Sequence, residues 1–264
     1  MLTINFWNGN KSAARQAYET ELLKACLDVS ANDHANARLK VDNTDYASAQ
    51  DEGDIFDNGA DILVTVAGNL KFEHKPKIII PQPLTKGLLG YRLILVRRDS
   101  IAMFSDLKSA AELRALTIGI PQTWADAEMF RQNNYTVVEK GSFNDLFKLL
   151  RSKSFDYTAL GANEIEGIFE QQSTALGEII IEPSIMIYYP YPLVFYVNPQ
   201  NPLLAERVSE GLNTIKLNGQ HEQIFLKHHG DVVQRLNLKK RRIFTLDNSI
   251  LPVEMKTFQS TLLD

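Results

Sequence analysis

A single cysteine, Cys26, among 264 residues excludes an intramolecular disulfide and any multi-cysteine metal site, and leaves that residue to pack as a small apolar side chain. Long apolar runs are missing too. The most apolar region, residues 179–197, is interrupted by Glu182, Pro183, Pro190 and Pro192, which excludes a membrane-spanning helix of about 20 residues. Neither charge sign dominates: 28 Lys and Arg against 32 Asp and Glu give a formal net charge of -4, too small a field to draw nucleic acid. The one basic run, Lys239 to Arg242, reads as solvated surface. Internal repeats and low-complexity stretches are absent. So are the dinucleotide fingerprint, the phosphate loop, G-x-S-x-G and H-E-x-x-H, which weakens an enzymatic reading without removing it. His221 and His228 stand seven residues apart on a predicted helix, about 11 Å along its axis, too far to share one metal ion. No cofactor or metal is expected. The N-terminal residues lack a basic region followed by an apolar stretch, so no secretory signal stands in this numbering. An exported protein whose signal had been removed would read the same way.

What is present is an ordinary globular composition, 44% hydrophobic and 23% charged with a mean hydropathy of -0.18, in a chain whose length suits a pair of modest domains. The order of elements is informative. Leu2 to Phe6 alternates as a strand, Lys11 to Val29 places Tyr18, Leu22, Cys26 and Val29 on one helical face, and strands follow at Leu39 to Val41 and Asp61 to Ala67. A polar helix at Ala47 to Phe56 separates those two strands, and Asn58-Gly59 stops it. This β-α-β-α-β alternation predicts a parallel sheet whose strand ends collect the ligand-binding loops, where Trp7, Asn8, Gly68 and Asn69 stand. A long apolar strand, Tyr91 to Val96, opens a second series: a strand at Leu116 to Ile120 and a helix from Trp124, a strand at Thr136 to Val138 and a helix at Asn144 to Arg151, then a strand at Asp156 to Leu160 and a helix from Asn163. The chain returns through Glu178 to Tyr188 and the strand Leu193 to Val197. Asn201-Pro202 then starts a helix with a preferred cap and a proline at the first helical position, and helices to about Leu236 complete the fold. The expectation is an α/β protein of two lobes, each a mostly parallel sheet flanked by helices. The outer lobe takes residues 1–92 plus 193–264 and the inserted lobe residues 93–192. Segments near 90–97 and 190–197 form the two hinge crossings.

Polar residues at strand ends are the candidates for binding. After the strand that ends at Ile120, Thr123 is the expected N-cap and Asp126 the third helical residue, so the carboxylate either completes a capping box or faces a cationic ligand group. Trp124 beside it belongs either to the core or to a ligand's ring or cation. Arg92 lies inside an apolar strand, where a guanidinium needs a partner, either an internal carboxylate or a ligand acid. Tyr188, Tyr189 and Tyr191, interleaved with Pro190 and Pro192, form a stiff aromatic segment suited to packing or to stacking on a ligand.

The stretch Pro83-Leu-Thr-Lys-Gly-Leu-Leu-Gly-Tyr-Arg92 resembles a group of uncharacterised bacterial proteins related to the family 3 solute-binding proteins. Other blocks agree in order and spacing from about Tyr18 to Pro252. Trp124-Ala-Asp126 resembles that group's Trp-Pro-Asp, and Phe155-Asp156-Tyr157 with Gly161 and Glu164 resembles its middle-lobe strand and helix start. Tyr189-Pro-Tyr-Pro192 is similar to its return crossing, and Asp247-Asn248-Ser-Ile-Leu-Pro252 to its C-terminal Asn-Pro-x-Leu-Pro. The resemblance implies the periplasmic-binding-protein-like type II fold, an extracytoplasmic location and a hinge-closing cleft. It also marks departures. Where amino-acid binders of the wider family carry an arginine after the third strand, this chain has Glu73-His74-Lys75. Where they place an aspartate at the end of the middle-lobe strand, it has Gly161, and where the closer group often has an arginine just before that glycine, it has Leu160. Both handles for an α-amino acid are altered, which argues against that ligand class and leaves Lys75 or Arg92 to meet a carboxylate.

The expected function is that of a monomeric periplasmic solute-binding protein, its export signal removed. It would grip a small polar molecule through Trp7, Asn8, Gly68, Asn69, Lys75, Arg92, Thr123, Trp124, Asp126, Gly161 and Tyr189, and serve a membrane transporter or sensor, with no nucleic-acid partner. The alternatives are a dehydratase or lyase on the same scaffold, pairing an acid such as Asp126 or Glu164 with a base such as His74, and a degenerate sensory domain that acts through protein contacts alone.

Overall fold

The structure, a computed structural model, describes residues 2–30, 37–122, 124–172 and 177–264. It divides into two compact units, the first made of Met1–Thr85, Pro192–Asp231 and Pro252–Thr257, the second of Lys86–Tyr191, Val232–Leu251 and Phe258–Asp264. Among the described residues no helix is long and apolar enough to cross a membrane.

The first unit carries β1 (Leu2–Trp7), α1 (Ala13–Val29), β2 (Ala37–Asp42), α2 (Ala49–Gly53), β3 (Ile62–Val66) and β4 (Ile78–Ile80) from the N-terminal part of the chain. The second unit follows with β5 (Tyr91–Arg97), α3 (Ile101–Ser105), α4 (Ala110–Arg114), β6 (Thr117–Ile120), α5 (Asp126–Gln132), β7 (Thr136–Glu139), α6 (Leu146–Arg151), β8 (Tyr157–Gly161), α7 (Ile165–Gln172) and β9 (Ile179–Tyr188). The chain then returns to the first unit with β10 (Leu193–Val197), α8 (Pro202–Leu217) and α9 (Gln220–His229), and to the second with α10 (Val232–Arg235) and β11 (Arg242–Thr245).

In the first unit the strand order is β2-β1-β3-β10-β4. The N-terminal strands pair in parallel and β10 lies antiparallel to both β3 and β4. Ser12 caps α1 by accepting from the Arg15 N–H, and Tyr18, Leu22 and Cys26 form a buried face as their spacing requires. Helix α8 packs on that helix at close range. A Cβ on Gly211 would stand 2.1 Å from the Cys26 carbonyl oxygen, so only glycine permits the approach. Arg207, on the same helix and 4% exposed, donates 2.9 Å bonds to the Leu27 carbonyl and to Ser30 Oγ, closing the C-terminal end of α1.

In the second unit the order is β11-β9-β5-β8-β6-β7. Strand β5 runs antiparallel to both of its neighbours, and its first six residues are buried, as an inner strand covered on both faces must be. Two sequence expectations change here. Strand β5 belongs wholly to this sheet, so the segment near 90–97 is not a crossing, whereas the segment near 190–197 begins with one, at 191–192, before β10 joins the other sheet; the chain also passes between units at 85–86, 231–232, 251–252 and 257–258. The expected outer lobe of 1–92 plus 193–264 therefore loses residues 86–92, 232–251 and 258–264 to the second unit. Residues 232–251 join it through β11, which the polar composition of its segment concealed. It pairs in parallel with β9, and Arg241, read from sequence as solvated surface, donates to the carbonyls of Leu236, Glu182 and Ile185.

Candidate functional site

Each sheet offers a carboxyl edge, the place where open α/β sheets bind ligands. In the second unit, Arg92 at the start of β5 lies opposite Gly161 at the end of β8 and Ile187 near the end of β9. The loops after β6, β8 and β9 therefore converge on it. Arg92 is 2% exposed. Its Nε donates to Tyr189 Oη at 2.6 Å and its Nη2 to Asp126 Oδ1, while Nη1 stands 4.0 Å from Glu164 Oε1. Tyr189 Oη donates in turn to Asp126 Oδ1 at 2.5 Å, and Tyr191 Oη to Oδ2 at 3.3 Å. The guanidinium carbon lies 5.3 Å from each of the two tyrosine ring centroids. Burial by itself works against the Arg92 charge, but Asp126, followed by Tyr189, Tyr191 and Glu164, outweighs it and raises its pKa. Burial likewise pushes the Tyr189 phenol well above its ordinary value, so this hydroxyl stays protonated and donates.

The arginine's partner is internal, and Asp126 is the first residue of α5, not the third; Ala125 precedes it with no side-chain cap. A buried guanidinium claims the carboxylate in preference to a backbone N–H, because two opposite charges in a weakly polarisable interior attract far more strongly than a charge and a dipole. Thr123, the expected cap, lies outside the described residues. Trp124 is half-buried and stacks on Phe143 at 5.9 Å and 15°.

The first unit's edge gathers Trp7, Asn8, Gly68 and Asn69. Trp7 is 2% exposed and its Nε1 donates to the Thr44 carbonyl at 2.9 Å. Asn8, fully buried, donates from Nδ2 to the Gln16 carbonyl and Thr20 Oγ1. The Gly68 N–H is taken by Tyr196 Oη at 3.0 Å, and Asn69 Nδ2 donates to Thr65 Oγ1 at 2.8 Å. Lys75 does not join them. It pairs with Asp54, a hydrogen bond that raises its pKa. His74, the base proposed from sequence, has a side chain 90% exposed beside Glu73.

Sequence reasoning missed Lys11 and passed over Tyr191. Lys11 Nζ, with its side chain 4% exposed, donates to Glu19 Oε2 at 2.6 Å and to the Val64 carbonyl at 2.9 Å, and Arg15 grips the other Glu19 oxygen at 2.9 to 3.0 Å. Burial lowers the Lys11 pKa, with Glu19 opposing it. A Gly9-Asn10-Lys11 loop ahead of the Ser12 cap was the available signal, but a lysine's burial is invisible in sequence. A cavity of about 560 Å³ lined by Arg97, Arg98, Arg151 and Lys153 sits instead by the last residue of β5. There Arg97 and Arg98 hold backbone carbonyls. Among the described residues no group of three or more His, Cys, Asp or Glu side chains could hold a metal ion.

No protein-family profile matches the sequence, and no curated protein matches it either. Solved structures do. A histidine kinase sensor domain with similarity to periplasmic binding proteins superposes at a TM-score of 0.61, with 18% identity over 86% of this chain and 96% of its own. The probable amino-acid ABC transporter extracellular-binding protein of Bacillus subtilis gives 0.63, with 14% identity over 88% and 99%. An ancestral arginine-binding protein bound to arginine gives 0.60, with 15% identity over 87% and 99%. The chain thus has the α/β fold of the type II periplasmic binding proteins, with its two sheets flanked by helices. The similar structures named here are binding proteins or a sensor domain.

Proposed function

We propose that this protein is an extracytoplasmic solute-binding protein that captures a small polar molecule, either for a membrane transporter or for a membrane sensor. The observation that carries the reading is the buried cluster of Arg92, Asp126, Tyr189 and Tyr191 at a carboxyl edge. Such a network fixes the loops after β6 and β9 in one arrangement, and a preorganised polar edge is what a specific binding site needs. The similarity to amino-acid-binding proteins supports the same reading. The altered residues at 73–75 and 161 direct it away from a free α-amino acid held in the usual way. The test is a thermal-shift screen of the purified protein against amino acids, their amides, short peptides, polyamines, organic acids, nucleosides and sugars. A ligand that binds only the folded state adds about 2.7 kcal/mol of stability at a hundredfold excess over Kd. A dose-dependent rise with the solute recovered unmodified is expected. Silence across the panel, or conversion of the solute, would remove the receptor reading.

A further inference from the structure

The cavity of about 560 Å³ is lined by Arg97, Arg98, Arg151 and Lys153 against only two carboxylates, Asp99 and Glu178. It stands at the far end of β5 from Arg92, roughly 17 Å along the strand, and its size suits a small molecule. Three segments bring the cations together: β5 runs directly into Arg97 and Arg98, α6 ends on Arg151, and Lys153 holds the left-handed turn after it, at a φ of 59°. Part of this charge has a structural use. Arg97 Nη1 donates to the Leu150 and Phe155 carbonyls at 3.1 and 2.9 Å, which answers the carbonyl end of α6, and Arg98 Nε donates to the Gly177 carbonyl at 2.5 Å. Asp99 stands 3.6 Å from Arg97 Nε and 3.5 Å from Lys153 Nζ. The remaining donors have no such use. A guanidinium carries five N–H groups, and among the described residues Nη2 of Arg97, both Nη groups of Arg98 and the whole Arg151 side chain make no hydrogen bond. Arg97 is the costly member, since its side chain is 11% exposed and its buried Nε also lacks a hydrogen bond. Four like charges around one hollow repel one another unless an anion comes between them.

We infer that this cavity binds a phosphomonoester group, held by the open donors of Arg97, Arg98 and Arg151 with Lys153 beside them. The site lies at the opposite end of β5 from the candidate solute edge, and stands whether or not that edge binds a solute. Charge and geometry select the group. Four cations against two carboxylates leave an excess of two, which a phosphomonoester near neutral pH matches with a charge of about -1.5 to -2. Its three terminal oxygens meet three guanidiniums, whose planar forks take phosphate oxygens in pairs. A carboxylate brings one charge and two oxygens, and leaves a fork unfilled. Arg98, Arg151 and Lys153 are exposed, so added salt screens the attraction and weakens the binding.

The experiment follows the backbone amides of the ¹⁵N-labelled full chain at fixed ionic strength, with glycerol 3-phosphate, inorganic phosphate, acetate and malonate as probes. The amides of residues 97–99 and 151–153 are expected to shift saturably with the two phosphates, at least ~10-fold more tightly than with acetate or malonate, while those around Gly161 stay in place. The Arg98→Gln/Arg151→Gln double variant changes two exposed positions and should weaken glycerol 3-phosphate binding at least ~10-fold with the rest of the spectrum unchanged. Flotation with phosphatidylcholine vesicles containing phosphatidic acid separates the two sources of the group. Binding of free glycerol 3-phosphate assigns a soluble ester, whereas capture by those vesicles alone, lost in the double variant, assigns a lipid headgroup. Both support the site. Amides that do not move and no capture by vesicles, an equal response to malonate, shifts centred on Gly161, or undiminished binding in the double variant would each overturn it.

Discussion

Arg92 shows how a charge becomes part of a core. Its guanidinium is stable in the interior only because Asp126 and Tyr189 complete its hydrogen bonds, and removing one partner of such a pair leaves an uncompensated buried charge. Asp126→Asn, which keeps shape and loses charge, should therefore destabilise the protein by about 3 to 5 kcal/mol. Tyr189→Phe, which removes one hydroxyl from the same network, should cost about 1 to 3 kcal/mol. Urea denaturation of the two variants checks both, and a larger loss for Tyr189→Phe would show that the ion pair is not what holds the cluster. Cys26 is the opposite kind of residue. Burial pushes its thiol pKa up to about 12 and the side chain is 0% exposed, so it is neither a thiolate at neutral pH nor accessible. A thiol-specific disulfide reagent is expected to leave it unmodified in native buffer and to react once denaturant opens the unit. Rapid modification under native conditions would contradict the packing of α1 on α8.

Among the elements, that packing is close, because α8 approaches the backbone of α1 through Gly211 with no side chain between them. Gly211→Ala is expected to lower stability by about 1 to 3 kcal/mol through overpacking, read as a lowered thermal midpoint. An unchanged midpoint would mean that the two helices shift apart freely. One helix start was legible in the sequence, since Pro202 opens α8 where expected, whereas Asp126 opens α5 and does not stand third in it. Strand β11 was not legible. Its four residues start within a basic run, and its place is decided by pairing with β9, which lies more than fifty residues earlier in the chain.

At the scale of the whole molecule, several carboxylates are held below the usual range. Hydrogen bonds from Lys227 and His228 do this for Glu21, and the Thr44 hydroxyl and N–H do it for Asp42. The N–H groups of Lys108 and Ser109 act on Glu112, and the N–H and hydroxyl of Ser142 act on Asp145. A carboxyl whose folded pKa is depressed binds its proton more weakly folded than unfolded. Its stabilisation is complete above the ordinary value of about 4 and is lost as pH falls through the lower folded value. The thermal midpoint should therefore hold steady from pH 7 to about 5 and decline below it. A midpoint that rises on acidification would contradict these assignments.

Residue order alone determined the alternation of strands and helices, the α/β class and the resemblance to solute-binding proteins, because periodicity, caps and turn residues act over a few neighbours. It also placed Arg92, Asp126, Gly161 and Tyr189 in one list of candidates, since each stands near the end or start of a strand. Only the tertiary structure decided which of them face one another. The pairing of β5 with β8 and β9 brings Arg92 to Gly161 and Ile187, and the fold sets its guanidinium against Asp126. Long-range register likewise moved residues 232–251 to the second unit and buried Lys11 against Glu19. Burial and charge partnership depend on chain segments far apart in sequence, and no local pattern encodes them.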